Sequence, residues 1–357
     1  MTARPERLLE LLADAEVDLM LVTNLVNVGY LTGYSGSNGL ALIGPATRTF
    51  VTDFRYVEQA AEEVDPAFER RQAALDLPDA LPDVLPDGEL RLGFEDAHTS
   101  VRQHARLREL LPPRVELVGV TGVVERLRAV KEPDELARIR AATQLADAAF
   151  EQLLSGGLVG RTERELAIAL EHDMLLRGAQ RPSFDTIVAS GPHGALPHAQ
   201  PRDVTVGPDE LVVIDWGAEL DGYCSDCTRT VATGNLAEDA REVYDLVLQA
   251  QVAGVHAVRG GRGGREVDAE ARAVIEQAGQ GERFGHGLGH GVGIDVHEAP
   301  RLSKRSEDEL RAGNVVTVEP GVYLPGRFGV RIEDLVVVTE DGCEILTSIG
   351  KELTTTD

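Results

Sequence analysis

The chain has 357 residues, 43% hydrophobic and 27% charged, which is material for one large domain or two ordinary ones and excludes a disulfide miniprotein or a disordered chain. Sixty acidic residues against 35 basic ones leave a formal net charge of −25 with histidine neutral, a balance that repels a phosphate backbone, so neither nucleic acid nor an anionic membrane is an expected partner. No run approaches the roughly 18 apolar residues of a spanning helix, Met1 to Glu6 has no basic stretch leading into an apolar one, and three cysteines make no disulfide framework, so a cytoplasmic protein is expected.

In chain order, Leu8, Leu9, Leu11 and Leu12 fall at helical spacing within Pro5 to Ala15, and the apolar run Val17 to Val22 predicts a buried strand directly after that helix. Strands are expected at Gly39 to Ile43 and Thr47 to Thr52, and a helix at Phe54 to Val64. Leu-Pro-Asp then occurs at Leu77, Leu81 and Leu85. Prolines four residues apart remove helical amide donors, so a series of turns is expected there and not a packed element. A helix over Val101 to Leu111, stopped by Pro112-Pro113, and a strand over Val115 to Val120 complete an α/β region.

A long amphipathic helix begins at Glu132-Pro133 and presents Leu136, Ile139, Ala142, Leu145, Ala149 and Leu153 on one stripe before Gly156-Gly157 ends it. The domain boundary is therefore placed between residues 121 and 131, giving an α/β domain over 1–124 and an α+β domain over 125–357. Within the second, the glycine-rich stretch Gly156 to Arg161 and the helix after it are echoed 104 residues later by Gly260 to Arg265 and its helix. That echo is the signature of a duplicated half-domain, or else of two unrelated loops.

Chemistry concentrates in four stretches. Leu211 to Asp215 and Tyr223 to Thr230 flank Asp221-Gly222 and predict a hairpin that brings Asp215 and Asp226 to one face, opposite or diagonal to each other and within about 5 to 8 Å. Two carboxylates that close in a buried place call for a cation between them. Cys224 and Cys227 form a Cys-x-x-Cys, but residues three apart on a strand point to opposite faces and the remaining cysteine is Cys343, so the pair reads as packing rather than as a zinc or redox motif. Phe284 to Glu298 interleaves His286, His290 and His297 with five glycines, which excludes a His-Glu-x-x-His helix and predicts close-packed backbone presenting imidazoles. A strand ending at Glu319-Pro320, and another over Gly329 to Leu335 with Arg331 and Glu333 on one face, add two more acids.

Asp215, Asp226, His290, Glu319 and Glu333 together supply four carboxylates and one imidazole. One divalent ion leaves this pocket at −2, whereas two balance it, and two ions about 3.5 to 4 Å apart activate a shared water for hydrolysis. Oxygen-rich ligation favours Mn²⁺, with Zn²⁺ and Co²⁺ as alternatives.

Asp215 with Asp226 eleven positions on, the tail Gly222 to Thr230, the run His286 to Glu298, Val318-Glu319-Pro320-Gly321-Val322-Tyr323 and Val330 to Asp334 resemble the pita-bread metallopeptidases, in particular their Xaa-Pro branch of prolidase and aminopeptidase P. Tyr30 to Gly36 and Thr52 to Tyr56 resemble the creatinase-type amino-terminal domain, so the resemblance runs the length of the chain. It implies that Asp215 and Asp226 bind one metal with Asp226 bridging, that His290 completes the other and that Glu319 and Glu333 bind both. It implies Glu319 as general base, His198 and His297 as catalytic and substrate-contacting histidines, and Arg331 and Tyr323 as supporting partners of the metal centre, Arg331 on the catalytic side and Tyr323 on the substrate side. His286 reads as a packed loop histidine. Where the family usually has asparagine this sequence has His193, which either alters the pocket or adds a surface imidazole. A homodimer hydrolysing small peptides with proline second is implied, as an Xaa-Pro dipeptidase narrowly ahead of an aminopeptidase P. A non-catalytic pita-bread binding protein, the rival of another class, would be marked by missing ligands, and none is missing; a creatinase-like amidinohydrolase is disfavoured on the same ligand set.

Overall fold

A computed structural model describes residues 3–356, and the chain divides into two compact units at Arg128 and Ala129. In the first unit a six-stranded sheet runs in the order Glu69–Gln72, Thr47–Thr52, Leu40–Gly44, Leu19–Val22, Leu90–Glu95, Val115–Val120. Leu40–Gly44 is antiparallel to both neighbours and the outer pairs are parallel. Strand Leu90–Glu95 and helix Leu25–Thr32 have weak sequence signals and were not among the predicted elements. The helix starts where the Asn24 side chain accepts from the Val26 amide, and Glu95, 6% exposed, accepts from the Thr23 and Asn24 amides at 2.6 and 2.8 Å.

The Leu-Pro-Asp segment corrects the expectation of unpacked turns. It forms two successive short helical turns, Leu77–Ala80 and Leu81–Val84, with a proline in the first positions of each, where its missing N–H has no helical partner to lose. The four-residue spacing then puts Leu77, Leu81 and Leu85 on one side, and all three are buried in the core with Leu21, Leu42 and Leu92.

The second unit repeats one arrangement, a helix pair on a sheet. Helices Pro133–Ser155 and Glu163–Leu176 cover the sheet of Ile187–Ser190, Leu211–Trp216 and Cys227–Ala232, sharing one core around Trp216. The Trp216 ring stacks on Phe150 with centroids 4.0 Å apart and donates its indole N–H to the Ala146 carbonyl at 2.9 Å. Helices Glu238–Ala257 and Gly264–Gln277 cover a second sheet, ordered Glu298–Leu302, Gly289–Gly291, Val315–Val318, Asp334–Val338, Cys343–Ile345, with a core of their own. This is the duplicated half that the glycine-rich echo predicted.

Two local devices set up the site. Asp221 and Gly222 both take positive φ, 49° and 75°, so the hairpin closes through a tight two-residue turn whose twist suits the flanking strands. The resulting register pairs Asp215 with Thr228, which leaves Asp226 diagonal to Asp215, the second of the two predicted arrangements. In the histidine stretch, a Cβ at Gly289 would lie 2.0 Å from the Thr317 carbonyl oxygen and one at Gly291 would lie 2.1 Å from that of Ala299. Glycine on both sides of His290 is what lets its strand lie between Val315–Val318 and Glu298–Leu302.

Candidate metal centre

All five candidate ligands converge on one cavity of about 550 Å³ in the second unit, which Asp215, Asp226, His290, Glu319 and Glu333 line together with His198, His286, His297, Arg301 and Arg331. Asp226, His290 and Glu333 are 5%, 7% and 1% exposed and each offers a ligand atom within 4.8 Å of the others. His290 Nε2 lies 3.3 Å from Glu319 Oε1 and 3.6 Å from Asp226 Oδ2. Asp215 joins through Arg331, whose Nη2 donates to Asp215 Oδ2 at 2.6 Å.

The strands explain this convergence. Asp215 follows the apolar run Leu211 to Ile214 within strand Leu211–Trp216, and Asp226 immediately precedes the partner strand Cys227–Ala232, two residues before Thr228. Glu319 directly follows Val315–Val318. Gly329 to Leu335 is not one continuous strand: Phe328–Arg331 ends, and Asp334–Val338 begins in a different sheet. Arg331 and Glu333, on either side of the turn out of the first strand, both line the cavity, while Val330 and Ile332 are fully buried in the core. Thr228 had no role in the sequence reading, although its place two residues from Asp226 was the available signal. Its hydroxyl donates to Glu333 Oε2 at 2.7 Å and accepts from Arg331 Nε at 2.9 Å.

Electrostatics argue for cations. Burial, with the charges of Glu333, Asp215 and Glu319 added, pushes Asp226 well above the carboxylate range. Burial, with Glu319 and Asp215, does the same to Glu333, and burial raises Asp215 against the pull of Arg331. Glu319 goes the other way: burial would raise it, but the hydrogen bond and charge of His290 outweigh burial and hold it down at about 2. Among the described residues Asp215 Oδ1 and Glu333 Oε1 are buried with no hydrogen-bond partner. Buried carboxylate oxygens without partners, turned into a cluster of like charges, fit a divalent metal site.

Around this floor stand the other predicted residues. His198 and His297 are exposed on the cavity wall. The His297 ring centre lies 4.3 Å from that of His290, and burial together with the His290 charge lowers His297 to about 4. Arg331, 4% exposed, also donates to the Tyr323 hydroxyl at 3.0 Å and to the Pro197 carbonyl at 3.1 Å. Tyr323 in turn bonds His286 Nε2 at 2.9 Å, so His286, read as loop packing, lines the cavity and ends a chain of contacts from Asp215. His193 is neither a pocket residue nor a surface one: it is 8% exposed and its Nδ1 bonds Glu163 at 2.9 Å. Cys224 and Cys227 are buried free thiols, both pushed up by burial, as packing residues should be.

Residues 137–340 match the Metallopeptidase family M24 and residues 4–130 the Creatinase/Prolidase N-terminal domain. The chain is 36% identical to the Xaa-Pro dipeptidase of Pyrococcus furiosus, over 99% of this chain and 100% of that one. Among solved structures, an Xaa-Pro dipeptidase from Bacillus anthracis superposes with a TM-score of 0.95 at 40% identity, covering 99% of each chain. An X-Pro aminopeptidase from Thermotoga maritima superposes with a TM-score of 0.90 at 37% identity, covering 99% of this chain and 100% of that one. With the ligand cluster of its second unit and these likenesses along its length, the chain belongs to metallopeptidase family M24 and is a peptidase carrying a creatinase/prolidase-type amino-terminal domain.

Proposed function

We propose that the protein is an Xaa-Pro dipeptidase that holds two divalent cations, Mn²⁺ in the native state, between Asp215, Asp226, His290, Glu319 and Glu333. Bound there, divalent cations would supply carbonyl polarisation and a water acidic enough to act near neutral pH. The remaining work falls to side chains. Glu319, 3.3 Å from His290 Nε2, takes the role of acceptor for the water proton that the family resemblance implies. Arg331 and Thr228 fix the carboxylates of Asp215 and Glu333. His198 and His297 stand on the wall where a substrate carbonyl would lie, and Tyr323 steadies Arg331 from the side facing His286.

A bond before proline suits this chemistry. The amide has no N–H and proline fixes φ, so a protease that binds that N–H loses a contact, whereas carbonyl polarisation does not depend on it. The observation that favours the dipeptidase is Arg301. Its exposed guanidinium lines the cavity and makes no ion pair or hydrogen bond among the described residues, so it is free to bind a terminal proline carboxylate. Cleavage by an aminopeptidase of longer peptides is the competing reading, favoured by the Thermotoga maritima likeness. The same reading places the enzyme in the cytoplasm as a homodimer acting on free small peptides; among the described residues no helix is long and apolar enough to cross a membrane.

The deciding measurement is kcat/KM of the Mn²⁺-loaded protein on an Xaa-Pro dipeptide, its proline amide and an Xaa-Pro-Xaa tripeptide, repeated with Arg301→Ala. The free dipeptide should be preferred, with the preference lost in the variant. Faster cleavage of the tripeptide would make it an aminopeptidase.

A further inference from the structure

His198 makes no hydrogen bond or ion pair of its own among the described residues and is exposed, so its place on the cavity wall is set by the segment that carries it, residues 190–202. This segment also lends Pro197, Ala199, Gln200 and Pro201 to the wall, yet its regular structure is one short turn, Gly191–Ala195, beyond the end of strand Ile187–Ser190. Something outside the segment must hold it.

That group is Glu163. It sits in the first turn of helix Glu163–Leu176, behind the Thr162 cap, where the helix end favours an anion, and it is fully buried. Its two carboxylate oxygens accept from the Ser190 amide at 2.9 Å and the Ser190 hydroxyl at 3.0 Å, and bond His193 Nδ1 at 2.9 Å. They also accept from the Arg202 amide, Nε and Nη2 at 3.0, 3.1 and 3.1 Å. Every one of these partners belongs to the segment: one at its start, one in its turn, one at its end. From the other side Arg331 donates to the Pro197 carbonyl, so the residue next to His198 is tied to the metal centre while Glu163 fixes the flanks.

We infer that Glu163, gripping residues 190–202 through Ser190, His193 and Arg202, is the positioning residue that keeps His198 facing the substrate. The substrate in question is the one assigned under the proposed function, and the inference rests on that reading only for its kinetic arm. Glu163 touches neither ligands nor substrate; it acts through His198. His193 is replaceable by a side chain that donates one N–H to Glu163, which asparagine does and alanine does not.

The test uses the full-length, metal-loaded protein and the variants His193→Ala, His193→Asn, Glu163→Gln, His198→Ala and the double variant His193→Ala/His198→Ala. His193→Ala should lower kcat/KM about 10- to 100-fold, mainly in kcat, with metal content unchanged, and His193→Asn should recover most of it. In the His198→Ala background the same change should cost less than about threefold, because the positioned residue is already gone. Hydrogen exchange, which needs no substrate, should show amides of residues 191–202 opening faster in His193→Ala and Glu163→Gln while strand Leu211–Trp216 stays protected. An equal kinetic loss in both backgrounds, or unchanged exchange in 191–202, overturns the inference. A wild-type enzyme that leaves Xaa-Pro peptides intact overturns the proposed function instead, and exchange still decides the role of Glu163. If Glu163→Gln does not fold, the His193 pair carries the test.

Discussion

Glu333 is a buried carboxylate with one oxygen satisfied by Thr228 and the other, among the described residues, by nothing, so its contribution to stability should change sign with a cation. Without a cation, burial and the charges of Glu319 and Asp215 disfavour its ionised form; under the proposed function it would be a ligand once metal is bound. Glu333→Gln should therefore leave the chelated protein at least as thermally stable as wild type, while losing most of the stabilisation that saturating Mn²⁺ gives wild type, about 3 kcal/mol at a hundredfold excess over Kd. Calorimetry with chelator and with metal reads both. Glu163 makes the opposite kind of contribution. Burial would raise it, but the Arg202 side chain, the Ser190 and Arg202 amides and His193 together outweigh burial and hold it below the ordinary value. A carboxyl depressed in the fold stabilises fully above its unfolded pKa, about 4.3, and loses that stabilisation as pH falls through the lower folded value. The acid limb of stability below about pH 5 should be steeper in wild type than in Glu163→Gln, as urea titrations across pH will record. The candidate acids were legible because carboxylates ending apolar runs stand out, and His290 and His297 because imidazoles crowd a glycine-rich stretch, whereas His198 was singled out by the family resemblance alone. Thr228, Glu163 and Arg301 were not, because threonine on a strand, glutamate at a helix start and arginine beside proline are ordinary there, and only the three-dimensional neighbourhood gives each its task.

At the level of elements, close approach and not propensity decides the histidine strand. Gly289→Ala puts a methyl against the Thr317 carbonyl and should cost about 1–3 kcal/mol of stability. It should also weaken metal binding, since His290 moves with the displaced strand; denaturant melts and metal titration of the purified variant measure the two effects. The Leu-Pro-Asp repeat teaches the reverse lesson. Proline every fourth residue speaks against one long helix, and none forms, but it permits two short turns that still bury leucines. Leu81→Ala, at a fully buried position, should cost about 2–5 kcal/mol, a loss that an unpacked turn would not show in urea. Long amphipathic or β-branched stretches such as Pro133–Ser155 and Val115–Val120 were readable from periodicity alone. The break between Phe328–Arg331 and Asp334–Val338 was not, since an alternating pattern is identical whether a strand continues or changes sheet.

Over the whole molecule, a charge of −25 surrounds a cavity whose exposed cation is Arg301 among acids and histidines. Approach of an anionic substrate is opposed by that field and approach of a cationic one favoured. Lys-Pro should show a higher kcat/KM than Glu-Pro at low ionic strength, and the gap should narrow between about 0.01 and 0.15 M salt as screening shortens the field's reach. The candidate ligand set is also split along the chain: Asp215 and Asp226 come from the first helix-pair sheet and its hairpin, while His290 comes from the second and Glu319 and Glu333 flank two of its strands. The half-exposed link around Gly234 to Ala237 joins the two. Severing the backbone there would leave each fragment with an incomplete set of donors, so tight metal uptake by a mixture of the two pieces would report that they had found each other.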